Sequence, residues 1–222
     1  MQLRALLLDL DGTLVDTAPD MVGALNRVLE AHQRPACDIA LASKLVSNGA
    51  RALIEFGFPD VKNEQDQQAL IEQFLNTYQQ HVCIDSALYD GMHDVLSHCE
   101  SNSIKWGVIT NKPLHLAKDV MAGLGLLERC AILLGGDSLP VKKPDPVPML
   151  HACMLLSVAP SECIYIGDHE RDIQAGNAAG MDTGAASWGY LQHPVRLEDW
   201  NPTCIFSTPY SLYDYIATRS NA

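Results

Sequence analysis

The chain has 222 residues, enough for one core carrying an inserted lobe. Its composition is that of a globular protein, 47% hydrophobic and 19% charged, with no low-complexity tract and no internal repeat. A formal charge of −12 with only 15 Lys plus Arg gives no basic footprint for a nucleic-acid partner, so the acidity reads as solubility.

The first apolar run begins after Arg4 and meets Asp9 and Asp11, which cut it too short for a signal peptide. No run approaches the ~20 apolar residues of a membrane helix, so no membrane partner is expected. Seven cysteines, an odd number with no C-x-x-C spacing, argue against a disulfide framework or a zinc site. Thiols scattered through apolar segments fit a cytoplasmic protein, where Cys acts as a small hydrophobe.

Taken in chain order, Leu3–Leu8, Ile104–Ile109, Ala131–Leu134, Cys163–Ile166 and Thr183–Ala186 are apolar runs of strand length, and Ile205 sits in a weaker sixth. Runs apolar on both faces suit parallel strands covered by helices on both sides. The segments Lys112–Leu124, Pro146–Leu156 and Arg171–Ala179 between them carry helical spacing. The alternation predicts an α/β fold with a doubly wound parallel sheet.

From about Asp16 to Leu88 the pattern is helical only. Pro19 stands where a first turn accepts it, and Asp20–His32 is amphipathic. Glu64–Val82 carries Leu70, Ile71, Phe74, Leu75, Tyr78 and Val82 on one stripe. The division expected is therefore a core of residues 1–15 and 88–222 with a helical cap at 16–87. Its position directly after Asp9–Gly12 suits a lid.

Ligands of open α/β sheets bind at the carboxyl ends of the strands. The first strand ends in Asp9-Leu10-Asp11-Gly12-Thr13, the second in Thr110-Asn111. The third is followed by Lys142-Lys143-Pro144-Asp145-Pro146, and the fourth by Gly167-Asp168-His169-Glu170-Arg171-Asp172. Several carboxylates sharing one site repel one another unless a cation joins them. Oxygen ligands without His or Cys suit a hard ion such as Mg²⁺. Thr110, Asn111 and Lys143 offer the hydroxyl, amide and fixed positive charge that a phosphoryl group needs. An aspartate beside the metal can then act as a nucleophile.

The pattern D-x-D-G-T, a T-N strand end, K-P and G-D-x-x-x-D, in that order over nearly the whole chain, resembles the haloacid dehalogenase superfamily of phosphatases. The resemblance implies a Rossmann-like core, Mg²⁺ as cofactor and a small-molecule phosphate ester as substrate. It makes Asp9 the nucleophile and a metal ligand. Asp11 becomes the general acid/base, a metal ligand through its carbonyl, and able to swing over the phosphate at the Gly12 turn. Thr110 and the Asn111 amide would hold the phosphoryl group, and Lys143, the lysine directly before proline, would neutralise developing charge. Asp168 would complete the metal set, with Asp172 on the ion through water or holding Lys143. His169 reads as a helix-start residue, with a substrate contact as the alternative, and Asp16 and Thr17 as a hinge turn and N-cap.

Asp11 favours a phosphatase or phosphomutase over a dehalogenase, and Gly167-Asp168 favours hydrolysis over the mutases. Leu88–Met92, Trp106–Leu114 and Trp188–Tyr190 are most similar to the bacterial N-acetylmuramic acid 6-phosphate phosphatases, which are close to the phosphoglycolate phosphatases. The expected activity is hydrolysis of N-acetylmuramic acid 6-phosphate, with phosphoglycolate as the alternative substrate. A β-phosphoglucomutase-like mutase and a non-catalytic binding protein are the further rivals, and a monomer or homodimer is the expected state. Arg51, in the lid, is either a contact for an anionic substrate group or a solvated arginine. Trp106 reads as a core aromatic, while Trp188 and Tyr190 are expected at the rim, facing a sugar.

Overall fold

A computed structural model describes residues 3–192 and 194–220. The first strand, β1 (Ala5–Leu8), is buried along its whole length. It lies between β4 (Lys105–Ile109) and β6 (Cys163–Gly167), parallel to both. Successive side chains of a strand point to opposite faces. Leu6 and Leu8 accordingly enter one apolar cluster, with α5 (Met92–Ser101), α6 (Leu114–Gly123) and α9 (Pro209–Ser220). Ala5 and Leu7 enter a second, with α7 (Val147–Leu156) and α8 (Glu170–Ala179). Both faces are covered, which explains the uninterrupted apolar run.

The sheet is completed by β5 (Ile132–Leu134), β7 (Asp182–Ala186) and β8 (Cys204–Phe206), in the order β5-β4-β1-β6-β7-β8. All pairings in it are parallel. The chain builds outward from β1 on one side, then returns and builds outward from β6 on the other. This doubly wound, Rossmann-like order opens a crevice between the carboxyl ends of β1 and β6. The six strands match the six apolar runs, with ends shifted by up to two residues.

The interval after β1 is not helical only. The helices α1 (Ala18–Ala31), α2 (Ile39–Ser43), α3 (Gly49–Gly57) and α4 (Glu64–Gln80) are bracketed by β2 (Val15–Asp16) and β3 (Ala87–Leu88). These short strands pair antiparallel, Val15 opposite Leu88 and Asp16 opposite Ala87. Two residues are too few to show an alternation, so this clasp leaves no periodic trace in the sequence. The α4 stripe buries Leu70, Ile71, Phe74 and Tyr78. Asp20 of α1 anchors the return to the core: its carboxylate accepts from the amides of Ile84, Asp85 and Ser86 and from the Ser86 hydroxyl. Among the described residues no helix is long and apolar enough to cross a membrane.

Leu6 is wholly buried in the central strand. Leu6→Ala should cost ~2–5 kcal/mol in chemical unfolding, the range for a buried leucine that leaves a cavity. A loss below about 1 kcal/mol would show that β1 is not at the centre of the core.

Candidate active site

Asp9 and Asp168 stand one residue past the ends of β1 and β6, and Thr110 one past β4. Lys143 arrives on the loop after β5. All four side chains are buried. The ammonium of Lys143 is surrounded by three oxygens: Asp9 Oδ1 at 2.9 Å, Asp172 Oδ1 at 2.7 Å and the Tyr165 hydroxyl at 2.8 Å. Tyr165 in turn donates to the carbonyl of Ile109 at 2.6 Å, which fixes Lys143 relative to the end of β4. Lys142 is exposed. Asn111 donates its side-chain amide to the Lys143 carbonyl at 3.0 Å and ties the two loops together. The Thr110 hydroxyl accepts from the Lys112 amide at 3.2 Å.

Burial pushes the Asp9 carboxyl up, but Lys143, with Arg171 behind it, outweighs burial and holds Asp9 below the usual carboxylate range. Asp172 lies on the same ammonium, yet burial prevails and its affinity for a proton is raised. Asp168 is pushed up to about 7 by burial and by the charges of Asp9 and Asp172. Its Oδ1 accepts from Thr13, and its Oδ2 from the Ser47 hydroxyl and the Tyr190 amide.

One oxygen from each of Asp9, Asp168 and Asp172 falls within 4.8 Å of the others. Asp172 Oδ1 is shared between this group and the Lys143 ammonium, 2.7 Å away. A buried group of three carboxylates served by one lysine, with one of them raised to about 7, is an all-oxygen donor set that a hard divalent cation would satisfy. Asp172, ion-paired to Lys143, both holds the lysine and borders the cation position. Gly12 is required beside it: its φ is +82°, and a Cβ there would collide with the Asp168 carboxylate.

Asp11 does not enter the acidic group. Its Oδ1 accepts from Thr17 at 2.6 Å and pairs with Lys112 Nζ at 2.8 Å. Thr17 is thus occupied with Asp11 and makes no side-chain cap for α1. Asp16 fills that place instead, accepting from the Ala18 amide at 3.2 Å and from the Tyr190 hydroxyl at 2.5 Å.

Asp9, Asp11, Thr110, Asn111, Lys112, Lys143 and Arg171 open onto one cavity of about 470 Å³, walled on the helical side by Met21, Val46–Arg51, Leu75 and Tyr78. Arg51 is at this wall but pairs with Glu64 at 2.6 Å, both side chains largely in solvent. Arg171 donates to the Ser47 carbonyl. His169 caps α8 by accepting the Arg171 amide at Nδ1. Burial and Arg171 push its ring down to about 4, so it is neutral at pH 7, with Nε2 donating to Asn48.

Trp188 and Tyr190 do not face the cavity. The indole donates to the Thr13 carbonyl at 3.0 Å, and the Tyr190 hydroxyl reaches Asp16 and Ala18. The indole braces the loop after β1, and the tyrosine braces the junction between β2 and α1. Trp106 is a core residue whose indole donates to Glu100.

The model of haloacid dehalogenase-like hydrolases matches residues 6–186. The chain belongs to that family. The hydrolase is 38% identical over 211 residues to a phosphoglycolate phosphatase of Xanthomonas campestris, covering 95% of both chains. It is 38% identical over 216 residues to an N-acetylmuramic acid 6-phosphate phosphatase of Pseudomonas aeruginosa, covering 97% of this chain and 96% of the relative. The crystal structure of a predicted phosphoglycolate phosphatase from Haemophilus somnus superposes with a TM-score of 0.87 at 25% identity, covering 97% of this chain and 98% of the other.

Lys112, Tyr165 and Arg171 belong to this site without having been singled out in the sequence. Lys112 follows Thr110-Asn111 directly, and a cation just past a strand's carboxyl end was the available signal. Tyr165 and Arg171 gave none, since a tyrosine in a buried strand and an arginine in a first helical turn are ordinary.

Asp168 takes a proton near pH 7 when folded and at 3.8 when unfolded, so the unfolded chain binds fewer protons between these values. The contribution of Asp168 to stability therefore falls as pH rises from 3.8 to about 7, and is constant above. In EDTA, Asp168→Asn should gain melting temperature relative to wild type as pH rises through that window. A difference independent of pH would contradict the raised proton affinity.

Proposed function

We propose that this hydrolase is a Mg²⁺-dependent phosphomonoesterase whose nucleophile is Asp9, with residues 16–87 acting as a cap over the site. The observation that carries the reading is Asp9 itself. It is buried at a strand end, held ionised by Lys143, and opens with Thr110 and Asn111 onto a cavity large enough for a metabolite.

In the first step an Asp9 carboxylate oxygen bonds to phosphorus in line with the departing ester oxygen. The ester P–O bond breaks, its electron pair passes to the leaving oxygen, and Asp11 supplies the proton. In the second step Asp11, now a carboxylate, takes a proton from water as the water oxygen bonds to phosphorus. The Asp9–phosphorus bond breaks, and Asp9 and inorganic phosphate result. Thr110 and the Asn111 amide orient the phosphoryl oxygens, and Lys143 offsets their charge. Asp9, Asp168 and the Asp11 carbonyl would hold Mg²⁺, which when bound supplies electrostatic stabilisation of the transferring phosphoryl group.

N-acetylmuramic acid 6-phosphate is the preferred substrate. Beside the Lys112–Asp11 and Lys143–Asp9 pairs, Arg51, Lys142 and Arg171 line the cavity, which suits an ester carrying a carboxylate as well as a phosphate. Phosphoglycolate shares that chemistry and is the alternative. The volume of about 470 Å³ favours the larger sugar acid. Arg51 would take the carboxylate, since its pair with Glu64 is exposed and screened by solvent.

Asp9→Asn should abolish phosphate release while the fold is kept, and Asp11→Asn should cost well over about tenfold, or about 1.4 kcal/mol, in rate. Appreciable turnover by the first variant would remove the nucleophile assignment. Phosphate release from N-acetylmuramic acid 6-phosphate, phosphoglycolate, glucose 6-phosphate and β-glucose 1-phosphate, with Mg²⁺ and with EDTA, tests the substrate. A kcat/KM about a hundredfold higher for the muramic ester is expected, and a preference for phosphoglycolate would reverse the order. Arg51→Ala should raise KM for the carboxylate substrate far more than for an aryl phosphate, and equal effects would make Arg51 structural.

A further inference from the structure

We propose that Lys112 is a positioning residue for Asp11: with Thr17 it pins one carboxyl oxygen so that the other carries the proton to the ester oxygen. The proposal rests on the phosphatase reading above.

Lys112 is buried, 5% exposed at its side chain, and Asp11 is 13% exposed. An ammonium has three donors and is costly to bury without oxygen partners. Lys143 meets three oxygens; among the described residues the carboxylate on Lys112 is that of Asp11, with Oδ1 at 2.8 Å, and the Tyr78 hydroxyl lies close by. Its other neighbours are the Met21 sulfur at 3.7 Å and the Tyr78 ring, whose centroid lies 4.5 Å away. A lysine placed for packing alone would be poorly served here. The partner it does have is the acid/base.

All the polar contacts of the Asp11 carboxyl group among the described residues fall on Oδ1. With two donors on Oδ1, the proton-bearing oxygen is Oδ2. Asp11 and Lys112 both line the cavity. The proton passes from Asp11 Oδ2 to the ester oxygen as the P–O bond breaks, and Lys112 keeps its own protons throughout.

The walls of the lysine come from the helical segment. Met21 is on α1 and Tyr78 on α4, while Lys112 and Asp11 are on the sheet side. The orientation of the acid is thereby tied to the seating of those helices. A residue that only shaped the cavity would not produce this arrangement, in which the ion-pair partner among the described residues is Asp11.

The test compares kcat/KM for an alkyl phosphate, N-acetylmuramic acid 6-phosphate or phosphoglycolate, with that for 2,4-dinitrophenyl phosphate. This constant reports steps only through the departure of the leaving group. A dinitrophenolate leaves without a proton, so only the alkyl ester needs the acid in that half-reaction. In Lys112→Met, kcat/KM for the alkyl ester should fall by about tenfold or more, and for the aryl ester by less than about threefold. The ratio is taken within one preparation, so loss of folded protein cancels. If Lys112→Met does not fold, Thr17→Val addresses the same oxygen and should shift the ratio in the same direction. Asp11→Asn with Lys112→Met should lose no more than Asp11→Asn alone.

Equal losses on both esters, or additive losses in the double variant, would overturn the proposal. So would a rise confined to KM for carboxylate substrates, which would make Lys112 a substrate contact. Wild-type protein that releases phosphate from no ester would instead remove the phosphatase reading itself.

Discussion

Three carboxylates, Asp9, Asp168 and Asp172, share one buried volume, and their repulsion is the constraint around which the rest of the molecule is arranged. Lys143 relieves part of it by standing between Asp9 and Asp172. The relief is unequal: Asp9 stays ionised, while Asp168, without a lysine of its own, is raised to about 7. A nucleophile must be a carboxylate, and a residue awaiting a cation need not be. The same electrostatics therefore fit Asp9 to the proposed role of nucleophile and Asp168 to that of a ligand awaiting its cation.

The sheet makes that concentration of charge affordable in structural terms. Strands that are apolar on both faces can be buried completely, and their carboxyl ends then face one crevice. Asp9, Thr110 and Asp168 directly follow β1, β4 and β6, three adjacent strands of the sheet. The helical segment closes the crevice from above through polar contacts to the site itself. Ser47 reaches Asp168, Asn48 reaches His169, and Arg171 reaches back to the Ser47 carbonyl. Motion of these helices would alter the surroundings of Asp168 and of Asp11 together.

Much of this was legible in the chain, for identifiable reasons. Strand-length apolar runs such as Leu3–Leu8 and Cys163–Ile166 report burial on both faces, so the doubly wound sheet follows from them. Acids stranded at the ends of such runs are conspicuous because nothing in folding requires them there. The Val15–Asp16 and Ala87–Leu88 clasp escaped because two residues have no period. Trp188 and Tyr190 were misread because position after a strand does not reveal direction. Their donors turn inward to Thr13 and Asp16 rather than toward a sugar. Thr17 reads as a cap, but the half-buried Asp11 competes for its hydroxyl and wins. Lys112 illustrates the general difficulty: a partner 101 residues away decides its role, and no local pattern reports it.

The central claim is that Asp9 carries the phosphoryl group, and trapping tests it most directly. The enzyme would be mixed with substrate and Mg²⁺, quenched in acid within the first turnover, reduced with borohydride, digested and mapped by mass spectrometry. The account predicts reduction at Asp9 alone, dependent on substrate and absent in Asp9→Asn. Reduction at Asp11 or Asp168, or steady turnover with no trapped residue at any quench time, would contradict it.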